Sequence, residues 1–374
     1  MRFVTFFTLL FSSVLAFAEA PAPVVAANSW LMLDYTTGQV LASRDADKRI
    51  EPASLTKLMT AYITFGALRD GKLKREQEVP VSEKAWKMEG SRMFIQPAKP
   101  VTVGELVQGM IVQSGNDACV ALAEAIAGST DAFVHIMNQE AKRLGMVNTH
   151  FTNTTGLPDA AHYTTAHDLA ILAAAVVRDF PDDYSTYSQK EFSYNNIKQR
   201  NRNRLLWTDA TVDGIKTGHT DSAGYCLIAS AKRGERRIIT VVTGTNSEAA
   251  RAEESLKLLN HGFLFYETVR LYSAGQAVST LPVWKGSSNE LQAGFQSDFL
   301  MSVPKDQASR LKVDFASMQP VIAPIAKGQQ VGTLKVSLDG RELGEYPVLA
   351  LQEVKLAGWF GRTWDALRLW IKSL

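Results

Sequence analysis

At 374 residues, with 46% hydrophobic and 21% charged side chains, the chain has soluble globular composition and a length suited to two domains. Its 40 basic and 38 acidic residues leave a formal charge of +2, which gives no reason to expect nucleic acid as a partner. Two cysteines, Cys119 and Cys226, exclude a disulfide framework and a cysteine-rich metal site. They read as buried free thiols.

The chain opens with Arg2 and the apolar run Phe3–Phe17, broken by Thr5, Thr8, Ser12 and Ser13. Small residues follow at signal-peptidase spacing, Ala16-x-Ala18 or Ala18-x-Ala20, so residues 1–20 are expected to be a signal peptide and the mature chain to work outside the cytoplasm. Trp30–Leu33, the turn Thr36-Thr37-Gly38 and Val40-Leu41-Ala42 predict a hairpin over 29–43. Apolar residues at three- and four-residue spacing predict helices over 58–68, 103–112, 118–126, 132–144 and 166–177. Thr102 and Thr165 stand at N-cap positions, with Glu105 and Asp168 as capping-box partners. Strands are expected over 192–198, 224–231 and 238–244, then a helix over 248–265. From 275 to 354 short strands alternate with turns, including Asp339-Gly340 as a hairpin turn. The last segment places Phe360, Trp364, Leu367, Ile371 and Leu374 on one helical face, with Trp359 and Trp370 at its edge. Arg362, Asp365, Arg368 and Lys372 fall largely opposite, the pattern of a helix lying in a membrane interface; a helix docked on the β unit is the other reading.

These elements predict an α+β protein: an antiparallel sheet covered by helices over 21–268, an all-β unit over 269–355 and an amphipathic helix over 356–374.

Three stretches carry chemistry. Ser54-Leu55-Thr56-Lys57 opens a helix, and the three-residue spacing puts the hydroxyl and the amine on one face. A serine needs a neighbouring base, and a lysine serves once burial or nearby cations lower its pKa. The helix N-terminus adds N–H groups for an oxyanion. Ser114-Gly115-Asn116 falls in a tight loop between helices, able to aim a hydroxyl for proton transfer and a carboxamide for a substrate amide. Lys216-Thr217-Gly218 begins a predicted strand. Lys216 supplies positive charge, Thr217 a hydroxyl for a carboxylate, and Gly218 an open edge for a substrate strand. Singly, each also reads as ordinary structure: an N-cap serine with a solvated lysine, a Ser-Gly-Asn turn, a polar strand start with a bulge glycine.

Together the three occur in the order and spacing of the active-site serine penicillin-binding proteins and β-lactamases, with Gly115 where aspartate is common. Pro52–Thr60, Ser114–Ala118, Asp213–Asp221, Gly90–Phe94, Asn201-Arg202-Asn203 and Leu205-Leu206-Trp207 resemble the low-molecular-mass D-alanyl-D-alanine carboxypeptidases over nearly the whole chain. That resemblance implies a penicilloyl-serine transferase fold, peptidoglycan pentapeptides as substrate and covalent inhibition by β-lactams. It implies a periplasmic enzyme held peripherally on the membrane, with no cofactor or metal. It casts Ser54 as the acylated residue, Lys57 as its base, Ser114 as a proton relay, Asn116 as a binder of the substrate amide and Lys216 as the electrostatic centre. Backbone N–H groups of Ser54 and His219 would form the oxyanion hole, and Thr217, Arg202 and Arg251 would receive the terminal carboxylate. For both arginines a surface salt bridge is the alternative.

Two rivals stand beside this, and endopeptidase action on cross-linked peptides, which would use the same site, is a third reading. Class A β-lactamases use a Glu between the second and third motifs with Asn four residues on; Glu191 and Asn195 have that spacing but read as strand residues. The other rival is a non-catalytic peptidoglycan-binding scaffold that keeps the fold.

Overall fold

The computed structural model describes residues 22–372, without the side chains of Phe360, Leu367, Leu369 and Lys372. The expected signal peptide and Leu374 lie outside the described residues.

The expected hairpin forms from Ser29–Asp34 and Gln39–Arg44, turning through Gly38 at φ +76°. It seeds a five-stranded antiparallel sheet in the order Gln39–Arg44, Ser29–Asp34, Arg236–Thr245, Gly224–Arg233, Val212–Thr220. Every residue of Ser29–Asp34 is buried because both sheet faces are covered. Leu31 and Leu33 join the core that holds the Lys57–Arg69 and Ala166–Asp179 helices, while Trp30 and Met32 pack toward Leu258 and Leu259 of the Glu248–Phe265 helix. Lys57–Arg69 is buried from Lys57 through Phe65, so it is a central helix wrapped by others rather than a one-faced surface helix.

Local signals at the helix ends are mostly obeyed. Thr102 and Glu105 form a complete capping box. At Thr165 only half of the box exists: its hydroxyl accepts from the Asp168 N–H, but the Asp168 carboxylate accepts from Asn148 N–H (2.9 Å) and Thr149 Oγ1 (2.6 Å) instead. The helix expected over 103–112 is α-helical only to Gln108 and widens into a π turn over Gly109–Gln113. The strand expected over 192–198 is instead a hairpin, Glu191–Tyr194 with Ile197–Arg200. Asn195 and Asn196 both take positive φ (50° and 59°), a left-handed two-residue turn that asparagine tolerates, so Asn195 is a turn residue. The Val212–Thr220 strand begins well before Lys216, which sits in its middle.

At Phe265 the last helix of this unit passes directly into strand Tyr266–Tyr272, a few residues before the expected boundary. Tyr266–Tyr272 pairs with Phe299–Pro304. A six-stranded sheet follows, with Asp339 and Gly340 (φ 51° and 84°) turning between Gln330–Leu338 and Arg341–Ala350. Leu281, Val283, Leu291, Met301, Val336 and Val348 give this unit its own core. The two units are tied through Asp34, which is fully buried. Its Oδ2 accepts from Arg236 Nε and from Ser302 Oγ, each at 2.7 Å, and Gln39 Oε1 accepts from the Ser302 N–H at 2.6 Å.

Candidate active site

The 3-10 turn Ala53–Thr56 feeds straight into the Lys57–Arg69 helix, leaving Ser54 at the surface of the core and Lys57 beneath it. Ala53 has φ +47°, a conformation that a non-glycine residue keeps only when its surroundings enforce it. Lys57 Nζ donates to Ser54 Oγ at 2.9 Å and to the Thr155 carbonyl at 2.6 Å. Burial, opposed in part by Cys119 and Asp117 and reinforced by the Arg202 charge, lowers the Lys57 ammonium to about 8. A neutral amine is therefore accessible just above neutral pH, at hydrogen-bond distance from the hydroxyl.

The π turn ends on Ser114, held left-handed at φ 65°, and the next helix starts at Asn116. Ser114 and Asn116 are 3% and 4% exposed. Asn116 Nδ2 donates to the Glu89 carbonyl at 2.6 Å, which leaves its oxygen to accept from a ligand. A Cβ at Gly115 would lie 2.9 Å from Asp117 Oδ1 and 3.2 Å from Met93 N. The glycine thus keeps room for Asp117, whose buried carboxylate accepts the N–H groups of Met93, Phe94 and Ile95.

The third wall is the outer strand Val212–Thr220. Lys216 Nζ donates to Ser114 Oγ at 2.9 Å and to the Thr217 carbonyl at 2.9 Å. Burial first, and then the neighbouring Lys57 charge, holds its pKa well below the ordinary lysine value. Gly218 has a role that sequence did not suggest. A Cβ there would stand 3.2–3.3 Å from Leu55 Cγ, Ala53 Cβ and Leu55 N, so the missing side chain lets the strand lie against the Ser54 turn.

Ser54, Ser114, Asn116, Arg202, Thr217, Gly218, His219 and Arg251 line one cleft of about 460 Å³, and Lys57 and Lys216 reach it from below through the two serines. Arg202 is exposed, and Arg251 is 3% exposed. Arg251 Nη1 donates to the Gly218 carbonyl at 3.3 Å and Nη2 to Glu248 Oε1 at 3.3 Å, so it is ion-paired yet belongs to the cleft wall rather than the outer surface. Glu191 pairs with Lys198 and Arg200, Asn195 Nδ2 donates to the Phe94 carbonyl, and neither lines the cleft. Cys119 and Cys226 are free and buried, with thiols pushed up to about 11 by burial.

Four supports escaped the sequence reading: Asp117, Thr155, Gly156 and His162. Asn153 Oδ1 accepts the N–H groups of Thr155 (3.1 Å) and Gly156 (2.7 Å), an Asx turn that Asn153-x-x-Gly156 could have signalled. Gly156 has φ +86°, and a Cβ there would fall 1.7 Å from the Ala53 carbonyl oxygen. His162 Nδ1 accepts the Thr152 N–H at 2.9 Å, so Nε2 carries the proton and donates to Thr56 Oγ1 at 2.8 Å. No local pattern marks that histidine as a strut under the Ser54 turn.

A buried Ser–Lys pair, a second Ser–Lys pair and an open sheet edge around one cleft, on an antiparallel sheet between helices, define a serine acyl-transfer enzyme of the penicilloyl-serine transferase fold. Residues 16–247 match the peptidase S11 model, described as D-alanyl-D-alanine carboxypeptidase, and residues 266–356 match the C-terminal domain of penicillin-binding protein 5. The chain belongs to this family of serine D-alanyl-D-alanine carboxypeptidases. It is 42% identical over 369 residues to the D-alanyl-D-alanine carboxypeptidase DacC of Escherichia coli K12, covering 96% of this chain and 92% of that one. With DacA of the same organism it shares 42% identity over 355 residues, covering 93% and 88%. The crystal structure of penicillin-binding protein 5 from Haemophilus influenzae superposes with a TM-score of 0.86 at 39% identity, over 90% of this chain and 100% of that one. Penicillin-binding protein D2 of Listeria monocytogenes in its ampicillin-bound form is similar over 65% of this chain and 99% of that one, with a TM-score of 0.60 at 30% identity.

Proposed function

We propose that this carboxypeptidase removes the C-terminal D-alanine of peptidoglycan stem peptides through an ester on Ser54. Neutral Lys57 accepts the Ser54 proton as Oγ attacks the penultimate D-alanine carbonyl. The N–H groups of Ser54 and His219 stabilise the oxyanion. The C–N bond breaks as Ser114, polarised by Lys216, hands a proton to the leaving amine. Asn116 accepts a substrate N–H, the substrate backbone lies along the open edge at Gly218, and Thr217, Arg202 and Arg251 take the terminal carboxylate. Water then hydrolyses the ester: its proton restores Ser114 through Lys216, and Lys57 returns the first proton to Ser54 Oγ as that oxygen leaves. β-Lactams enter the same path and stall as the penicilloyl ester.

The observation that carries this reading is the 2.9 Å contact between Ser54 Oγ and a buried lysine whose pKa is lowered to about 8. Incubation with penicillin and, separately, with a D-Ala-D-Ala peptide, followed by mass spectrometry, tests it. A single adduct on the Ser54 peptide and release of D-alanine are expected, both absent in Ser54→Ala. Release that persists in that variant refutes the assignment, and rapid turnover of penicillin would mark a β-lactamase instead.

The proposal extends to where the enzyme works. Residues 1–20 export it, 21–268 form the catalytic unit, 269–355 the β unit, and 356–374 bind the outer face of the cytoplasmic membrane. Support for the last step comes from the Trp359–Lys372 helix, on which Trp359, Trp364, Trp370 and Ile371 are each about 60% exposed. Two of its polar residues reach the β unit: Asp365 Oδ2 accepts the Lys285 N–H at 2.7 Å, and Arg368 lies 5.7 Å from the Trp284 ring.

A further inference from the structure

Three arginines and one acidic residue, Glu248, line the cleft among the described residues. Glu248 is the first residue of the Glu248–Phe265 helix, directly after its N-cap Ser247, so the positive end of an 18-residue helix also faces this end of the cleft. The guanidinium of Arg251 is packed within 5.6 Å of the Tyr225 ring and fixed by the Gly218 carbonyl. Its remaining ionic partner is Glu248, whose side chain is 54% exposed against 4% for Arg251. The contact is long, at 3.3 Å, and one half of it sits in water. An incoming carboxylate can displace such a partner at small cost, but it must first compete with it.

We propose that Glu248 is a specificity-determining residue. It occupies Arg251 in the resting enzyme and competes with the ligand's carboxylate, so the cleft binds carboxylate-terminated ligands less tightly than its arginines alone would. This deepens the acyl-transfer reading above and depends on it. Glu248 touches no reacting atom; its effect is confined to ligands that carry the anion, and it weakens as salt screens the charges. If Glu248 serves only to complement the helix end, its removal lowers thermal stability slightly and treats charged and neutral ligands alike.

The test uses full-length protein, wild type beside Glu248→Gln and Glu248→Lys, acylated by benzylpenicillin and by its methyl ester at low and moderate salt. Expected is a rise of about three- to tenfold in the second-order acylation rate with the free acid for Glu248→Gln, at least as large for Glu248→Lys. The ester rate should stay within about twofold and the salt dependence for the acid should steepen. Equal acid rates in wild type and variants, or equal gains with acid and ester, overturn the role of Glu248 while leaving the acyl-transfer reading standing. Wild-type protein that forms no Ser54 adduct with either compound sinks both.

Discussion

Two buried bases set the pH behaviour of the site at the level of single residues. Lys57 is charged below about 8 and accepts a proton only when neutral, so the acylation rate should rise with pH and reach half its maximum near that value. Stopped-flow acylation by a fluorescent penicillin reads this limb, and Lys57→Arg, which cannot deprotonate, should lose at least about 10³-fold at every pH. His162 works in the opposite range. Burial pushes its pKa down to about 4 against about 6.5 in the unfolded chain. Its contribution to stability is therefore present above the unfolded value and lost as pH falls through the folded one. The urea midpoint of wild type should drop between these limits more steeply than that of His162→Gln. His162→Ala, which strands the Thr56 hydroxyl and the Thr152 N–H, should cost about 2–3 kcal/mol at neutral pH.

Secondary-structure elements meet at the cleft through glycines, and the two that matter differ in how much room they have. At Gly156 an added methyl falls on the Ala53 carbonyl at 1.7 Å and the backbone is left-handed, so Gly156→Ala must displace the Ser54 turn. Loss of acylation with a destabilisation of about 3 kcal/mol or more is expected. At Gly218 the same methyl meets Leu55 and Ala53 at 3.2–3.3 Å, tighter than ordinary contact but far short of the overlap at Gly156. Gly218→Ala should keep its melting temperature within about 3 °C of wild type while acylation falls about tenfold, since small misplacements at a reacting centre are expensive. These elements also show what sequence could and could not reveal. That Ser54, Lys57, Ser114, Asn116 and Lys216 converge on one cleft was legible because each motif is local and their order is informative. The hairpin at Asn195-Asn196 is marked only by two consecutive polar residues that break the alternation of Phe192 and Tyr194 and put Ile197 out of phase, a signal short enough to be read through as one strand. His162 and Asp117 were missed because their partners are distant in the chain: Thr56 lies 106 residues from His162, and Met93 lies 24 from Asp117. No periodicity encodes such pairings.

For the whole molecule, membrane attachment and chemistry should separate cleanly. Deleting residues 358–374 is expected to abolish sedimentation with vesicles rich in anionic lipid and to leave Ser54 acylation unchanged, because the helix contacts the β unit and not the cleft. Co-sedimentation that survives the deletion would remove the helix from that role. The Asp34 junction has a consequence of its own. Opening the seam would strip the Ser302 hydroxyl from a carboxylate that has no exposure, leaving it with Arg236 of its own unit, and would break the Ser302 N–H contact to Gln39 Oε1. These buried hydrogen bonds oppose bending at the seam. If the Trp359–Lys372 helix holds the membrane as proposed, a seam that opposes bending would keep the Ser54 cleft at one height above that footing, and changing the length of the β unit would change which strands the cleft can reach.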